Sequence, residues 1–405
     1  MVNIAVLGYG TIGSGVVEVI DINKDSISEK VEDEINVKYV LDIRKFPGEP
    51  IEDKLVDDIN VILEDPEIKI IVETMGGLEP AYSFVKKALM KGKSVVTSNK
   101  ELVAEHGAEL LAIAKEANIN FLFGASVGGG IPVIRPLNQA LTADKIEEIT
   151  GILNGTTNYI LSKMSEEGLE FDTALKDAQD LGYAEREPSA DVDGHDSCRK
   201  IAILTSLAHG KQVDFEDIYT EGIRNISSID FKYADILNTR IKLLSSSVKN
   251  EKGEVYAIVA PTMIKSDNPL YGVNDVFNAV FIKGNVVGDL MFYGSGAGKL
   301  PTASAVVADV IDIAKNLDEN IKIGWSKEKL ELADINQFKH RFFVRVGKSE
   351  NSMEHVKEVF GDLEIVRLED VSDEFAFVTS SMSEQEFKEK SDKLNHVKNV
   401  IRVRY

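Results

Sequence analysis

Two stretches of this chain gather residue types that do chemistry at spacings that favour it. The first is Gly8-Tyr9-Gly10-Thr11-Ile12-Gly13. Its first glycine permits a tight turn, its second lets the main chain approach a pyrophosphate, and its third lets a helix pack on a strand. The phosphate then meets the helix N-terminus. The second stretch runs from Gly182 through Glu185, Arg186, Glu187 and Pro188 to Asp191, Asp193, Gly194, His195, Asp196 and Lys200, crowding carboxylates around one amine. Asp193 could cap a helix continuing to His209, which sets Asp196 and Lys200 at i, i+4 on one face, acid before base. Read plainly, that is an exposed helix pair contributing about 0.3–0.5 kcal/mol.

Cofactor choice is expected after the second strand, at Leu41-Asp42-Ile43-Arg44-Lys45. A carboxylate there holds a ribose 2′-hydroxyl, and basic groups accommodate a 2′-phosphate. Asp42 argues for NAD, Arg44 and Lys45 argue for NADP, and a solvated strand end explains the same residues; the balance tips narrowly to NADP. Glu73-Thr74-Met75-Gly76-Gly77 follows an apolar strand and could face the nicotinamide side of a cleft beyond the strand C-termini.

The elements that must position these groups follow from periodicity. Strands are expected at Asn3–Leu7, Val37–Leu41, Ile68–Val72, Ser94–Thr97 and Ile119–Phe123, alternating with helices at Pro80–Met90 and Glu101–Ala117. This alternation implies a parallel α/β sheet. After Gly130 the rhythm changes to a helix at Pro132–Leu141, a strand at Ile146–Leu153, several helices to His209, and strands at Glu254–Met263 and Asp289–Tyr293. The helical run Ala303–Ile313 returns to the first domain. Residues Asn316 to Asn336, charged and holding the only tryptophan, Trp325, read as a bridge between domains. From Arg341 the order is βαββαβ. The expected architecture is therefore α/β. Residues 1–130 plus 301–318 form a Rossmann-type dinucleotide-binding domain, 131–300 a mixed α+β substrate and dimerisation domain, 319–340 a linker and 341–405 a C-terminal unit.

Composition narrows the classes. A net charge of −21 repels phosphate backbones and anionic lipid. The one cysteine, Cys198, cannot form an internal disulfide, no apolar run reaches spanning length, and the start MVNIAVLGYG lacks a signal-peptide layout. No nucleic-acid or membrane partner and a reducing cytoplasm are expected.

Residues 182–200 fit G-Y-A-x(3)-P-x(2)-D-V-x-G-x-D-x(3)-K, and here the sequence resembles the homoserine dehydrogenases. Further pieces fall in the same order over residues 1 to about 320: ETMGG at 73–77, SNK at 98–100, ASVGGGIP at 125–132, NGTTNYIL at 154–161 and GSGAGKLPTASAVV at 294–307. The resemblance implies reversible NAD(P)H-dependent reduction of L-aspartate 4-semialdehyde to L-homoserine, in threonine, methionine and isoleucine biosynthesis. A carbonyl oxygen that becomes an alkoxide needs a cation beside it and a proton donor. By similarity Lys200 is that donor and acceptor, and Lys100 a second catalytic or cofactor-contacting amine. Glu185 pairs with the substrate α-ammonium, Asp196 and Asp191 hold Lys200 and substrate in register, and Thr156 and Gly182 complete the substrate site. Gly8, Gly10, Thr11, Ile12, Gly13, Arg44, Lys45, Thr74, Ser98, Lys100 and Gly298 line the cofactor. The family also binds sodium through carbonyls matching Gly124, Val127, Gly129 and Ile131.

The sequence departs from the family pattern in places. Glu187 stands where Asp, Asn or Ser is usual, and Gly124 where some relatives have glutamate. His195 is expected to be a helix-start residue rather than a catalyst. The last unit resembles an ACT domain by element order, and in this family that module commonly mediates inhibition by threonine. Gly347-Lys348-Ser349-Glu350-Asn351-Ser352 lacks the usual Asp-x-x-Gly turn, so a structural or dimerising role stands equal to effector sensing. A homodimer or homotetramer is expected. Two rival readings are a non-catalytic amino-acid sensor on this scaffold, and phosphorylating oxidation of the same aldehyde, which would require Cys198 as nucleophile.

Overall fold

β1 (Val2–Leu7) is buried over most of its length, as a strand covered on both faces must be. β2 (Ile35–Leu41) and β4 (Ile68–Glu73) pair with it in parallel. β3 (Leu55–Val56) extends the β2 side, and β5 (Ser94–Thr97) and β6 (Phe121–Leu122) extend the β4 side. The order β3-β2-β1-β4-β5-β6 reverses between β1 and β4, and in such sheets ligands bind beyond the strand C-termini at that switch. Helix Thr11–Ile22 lays Val16, Val19 and Ile20 on the sheet beside Ala303, Val306 and Val310 of helix Lys299–Lys315, in one core with Ile4, Val6, Ile70 and Val72.

The computed structural model describes residues 1–349 and 352–405. Glu350 and Asn351, within the 347–352 stretch expected to lack the usual turn, lie outside the described residues. The chain forms two compact units, Met1–Lys145 with Ala202–Phe215 and Phe292–Leu330, and Ile146–Ile201 with Glu216–Met291 and Glu331–Tyr405. Relative to the expected limits, residues 131–145, 202–215, 292–300 and 319–330 group with the first unit, and 331–405 group with the middle segments.

The stretch expected to bridge domains belongs to the first unit as far as Leu330 and passes into the second at Glu331. Trp325 is buried, meets the Phe123 ring edge-on at 5.9 Å and donates from Nε1 to Gln212 Oε1 at 3.0 Å. A Cβ on Gly107 would lie 2.9 Å from its ring, which accounts for a glycine inside helix Lys100–Glu116. Just beyond, β14 (Ser326–Lys329) pairs with β8 (Lys211–Gln212). The polar stretch is thus anchored in the first unit by the burial of one large ring before it crosses to the second.

β7 (Ile146–Ile152), β10 (Thr239–Lys249), β11 (Val255–Lys265) and β12 (Phe277–Gly284) of the second unit, with β13 (Gly288–Ser295), whose residues to Met291 belong to it, take the order β13-β12-β7-β10-β11. The sheet continues through β19 (Val397–Arg404), β15 (Lys339–Gly347), β17 (Glu374–Thr379) and β16 (Leu363–Val366), while β9 (Tyr219–Thr220) joins β11 and β18 (Met382–Ser383) joins β15. With helices Ser352–Phe360 and Glu384–Ser391 the last segment is βαββαβ, and it shares a unit with the middle segments. β19 pairs in parallel with β11 at Thr262, Met263 and Ile264. Arg345 of β15 bonds Glu374 and, at 2.9 Å, Asp230 of helix Ser228–Ile236.

Candidate active site

The glycine turn is built for close approach. Gly8 has φ +90, and a Cβ on Gly13 would sit 1.9 Å from the Gly8 carbonyl oxygen. At Gly10 a Cβ would meet no protein atom within 4 Å, and no side chain caps the helix that begins at Thr11. The first-turn N–H groups thus face an open cradle suited to a phosphate, and Ile12 packs its side chain toward the core beneath. Thr74 Oγ1 donates to the Gly8 carbonyl at 2.9 Å, tying the turn to the loop after β4. A cleft of about 540 Å³ lined by Gly8, Gly10, Asp42, Arg44, Thr74 and Phe84 opens there.

Beyond β2, Asp42 accepts the Tyr9 N–H at 2.7 Å and both Nε and Nη2 of Arg44 at 2.9 and 2.8 Å. The Arg44 guanidinium holds the Asp42 carboxyl far below the usual carboxylate range. Arg44 also lies over the Phe46 ring. Lys45 is exposed. The carboxylate that would serve a 2′-hydroxyl is thus already engaged, and the guanidinium is presented beside it.

On the other side of the switch a residue that sequence reasoning assigned no task organises the loops. Glu73, fully buried at the end of β4, accepts Thr97 Oγ1–H at 2.5 Å and the Met75 N–H at 2.7 Å. Asn99 caps helix Lys100–Glu116 through Oδ1 and donates from Nδ2 to the Gly77 carbonyl at 2.6 Å. Ser98 donates its N–H to the Glu73 carbonyl at 3.4 Å, and Lys100 opens the helix. Gly298, at φ +120, heads helix Lys299–Lys315.

The glycine-rich loop from Gly124 starts as a 3-10 turn, Gly124–Ser126, after which Gly128 and Gly129 take φ of +77 and +55. Positive φ at both turns the main chain sharply. The Ile131 carbonyl accepts the Val133 N–H, and Gly124 donates its N–H to Asp309 at 2.6 Å. Burial pushes Asp309 up to about 6, against the pull of Gly124 and Arg135. Carbonyls at Gly124, Val127, Gly129 and Ile131 would supply the neutral oxygen donors that a hard cation takes, with one carboxylate behind them. Among the described residues no group of three or more His, Cys, Asp or Glu could hold a metal ion.

The acidic stretch assembles around Lys200. Its Nζ donates to Asp196 Oδ2 and to the Leu153 carbonyl, each at 2.7 Å. Asp196 and Lys200 are the expected i, i+4 pair on helix His195–His209, with side chains only 3% and 11% exposed. That removes the plain reading of a solvated pair, because in a site withdrawn from water each charge depends on the other, and loss of one would strand the other uncompensated. Asn154, not singled out from sequence, completes the cluster. Its Oδ1 accepts the Thr157 N–H as N-cap of helix Gly155–Glu167, which leaves Nδ2 to donate to Asp191 at 2.6 Å and Asp196 at 2.9 Å. One amide thus joins two carboxylates that would otherwise repel.

Other expected site residues of this stretch belong to the second unit. Glu185 is exposed on the loop where Gly182 takes φ +77, and Thr156 Oγ1 ties that loop down through the Tyr183 carbonyl at 2.6 Å. Asp193 bonds Arg224, its Oδ2 accepting from Nη2 at 3.1 Å. Glu187 accepts the N–H and hydroxyl of Ser189 at the start of helix Ser189–Val192, which gives the unusual residue a capping task. His195 is exposed. Cys198 is buried, and burial pushes its thiol up, away from the thiolate a nucleophile requires.

Comparison with known proteins agrees with both halves. The family model described as Homoserine dehydrogenase, NAD binding domain matches residues 8–124, and that described as Homoserine dehydrogenase matches 132–311. The homoserine dehydrogenase of Synechocystis sp. is 47% identical over 327 residues, 79% of this chain and 75% of that protein. A crystal structure of a homoserine dehydrogenase from Thiobacillus denitrificans aligns with a TM-score of 0.92 at 33% identity, covering 100% of this chain and 98% of that one. A hyperthermophilic archaeal homoserine dehydrogenase in complex with NADPH aligns with a TM-score of 0.67 at 31% identity, covering 77% and 97%. No helix among the described residues is long and apolar enough to cross a membrane.

Proposed function

The chain belongs to the homoserine dehydrogenase family of NAD(P)-dependent oxidoreductases, and from that premise we propose how its residues divide the interconversion of L-aspartate 4-semialdehyde and L-homoserine. Bound in the cleft beyond the glycine turn, the reduced nicotinamide supplies hydride. Lys200 stabilises the oxygen that gains negative charge and gives it a proton; in the reverse direction it takes the proton back. Asp196 and the Leu153 carbonyl aim the ammonium, and Asn154 keeps Asp191 and Asp196 together. Glu185 and Asp191 take the substrate α-ammonium, Thr156 and Gly182 shape the loop beside it, and Lys100 is the second amine. The observation that carries this reading is the buried Lys200–Asp196 pair at 2.7 Å: a solvent-excluded cation with a fixed direction has the form this reaction needs.

Gly8, Gly10, Thr11, Ile12, Gly13, Thr74, Ser98 and Gly298 serve the dinucleotide through main chain and hydroxyls. NADP is the favoured form, because Asp42 is spent on Arg44 and Tyr9 while Arg44 and Lys45 offer charge to a 2′-phosphate; the archaeal relative's NADPH complex is in keeping with this. Sodium on the Gly124–Ile131 carbonyls would brace that loop. The βαββαβ segment is ACT-like, with threonine as its candidate effector and a homodimer or homotetramer as the assembly. Steady-state oxidation of homoserine with NADP and with NAD, with and without sodium and threonine, tests these readings. Absence of homoserine-dependent reduction of either nucleotide would overturn the reaction itself.

A further inference from the structure

Glu73 is a carboxylate buried where no cation is needed to explain the fold. It lies at the C-terminal end of β4, in register with Thr97 of β5, one strand beyond the switch between β1 and β4. Burying a charged or polar group is costly unless donors surround it, and this one is fully ringed. Thr97 Oγ1–H donates to Oε2 at 2.5 Å, and the Met75 and Gly76 N–H groups donate to Oε1 at 2.7 and 3.4 Å. Thr97 Oγ1 in turn accepts the Asn99 N–H at 2.9 Å, which orients its hydroxyl hydrogen toward Glu73. Asn99 Nδ2 then reaches back to the Gly77 carbonyl, while its Oδ1 caps the helix that Lys100 begins. The chain of bonds closes on itself. Two loops that are separate in sequence, 75–77 and 98–100, are held as one body above the half of the sheet that receives the second mononucleotide of a dinucleotide. Burial pushes the Glu73 carboxyl up, but every bond to it has the carboxylate accepting, so the ring of donors is matched to the ionised form.

We propose that Glu73, Thr97 and Asn99 form a positioning triad that fixes the loops around the nicotinamide half of the cofactor, and Lys100 with them, without contacting the reacting atoms. The inference rests on the nicotinamide-dependent reaction proposed above. It predicts an effect concentrated on one half of the cofactor: Glu73 meets β1 through main-chain strand pairing with Leu7, whereas the triad's side-chain bonds run to the 75–77 and 97–99 segments and not to β2 or the 42–45 segment of the adenosine side. A loop misplaced by a fraction of an ångström costs turnover without unfolding anything.

The test uses the full chain and three variants, Thr97→Val, Thr97→Ser and Asn99→Ser. Thr97→Val keeps the shape and removes the hydroxyl. Thr97→Ser restores it, and Asn99→Ser keeps a helix-capping residue but removes the strut to Gly77. We expect Thr97→Val and Asn99→Ser to lower kcat by about ten- to a hundredfold and to weaken NADPH or NADH binding, with a changed emission of the bound reduced nicotinamide. Affinity for the adenosine fragment, 2′,5′-ADP or ADP, stays within about twofold, and Thr97→Ser recovers most of the loss. Wild-type kcat and emission in both Thr97→Val and Asn99→Ser would overturn the triad while leaving the reaction standing. So would equal losses for whole cofactor and fragment. If Thr97→Val does not fold, Asn99→Ser decides by the same split. A wild-type chain that binds neither nucleotide overturns this inference and the proposed reaction together.

Discussion

Lys200 and Lys242 are both buried ammonium groups of the second unit, 9% and 2% exposed, with different acceptors. Lys200 faces a carboxylate and a carbonyl. Lys242, on β10, donates to the Val273 carbonyl at 2.6 Å, Asn274 Oδ1 at 2.9 Å and Asn158 Oδ1 at 3.3 Å, all neutral oxygens. Burial, helped by Arg240, pushes Lys242 down to about 8. Neutral dipoles satisfy the N–H groups but supply no counter-charge. The contrast separates a brace from the group proposed to work: Lys242 pins the 273–274 loop and helix Gly155–Glu167 to the sheet, whereas Lys200 is paired with the counter-charge of Asp196.

The comparison is broken most directly by removing each amine. Lys200→Ala is expected to lower kcat by about a thousandfold or more while cofactor affinity stays within about threefold, read by steady-state oxidation of homoserine and by nucleotide titration. Equal losses in binding and turnover would count against its role. Asn154→Ser retains a helix-capping residue but leaves Asp191 and Asp196 without their shared donor, so kcat should fall by about a hundredfold with little change in melting temperature. Asp191→Asn tests the substrate side of the cluster. The expected outcome is a KM for homoserine raised about tenfold with kcat within about threefold, the mark of lost binding rather than lost chemistry.

Lys242→Met should change activity least, by less than about twofold, and stability more. Three acceptors lose their donor, which costs about 1–3 kcal/mol each if water does not replace it. The pH dependence sharpens the contrast further. The pKa of Lys242 in the fold, about 8, lies below its ordinary value of 10.5, so between those limits the unfolded chain binds more protons than the folded one. Stability from this group therefore rises with pH across that window. Denaturant unfolding of the wild type and Lys242→Met from pH 7 to 10.5 should show the rise only in the wild type; parallel curves would remove Lys242 as its source.

Much of the first sheet could be read from the sequence because its signals are local. An apolar run, a glycine turn and a helix-period face lie within the first 20 residues, and the rest of the alternation follows. β10 and β12 are absent from the elements expected from sequence, β10 for an equally local reason. Ser245-Ser246-Ser247 interrupts any apolar alternation in β10, yet these serines sit between β7 and β11, paired to both. The Asp196–Lys200 spacing was visible, but its burial was not. Asn154 reaches Asp196 across 42 positions, and no spacing rule connects an amide to a carboxylate over that distance.

The order of residues by itself determined the glycine turn, the helix that sets Asp196 and Lys200 on one face, and the motifs that place the chain in its family. Tertiary structure decided that this ion pair is withdrawn from water, that Glu73 is ringed by donors from two loops, that Trp325 joins the first unit's core, and that β19 extends the middle sheet. Backbone conformation is set by neighbours a few positions away, whereas dielectric surroundings and hydrogen-bond partners are set by groups the chain brings together only on folding.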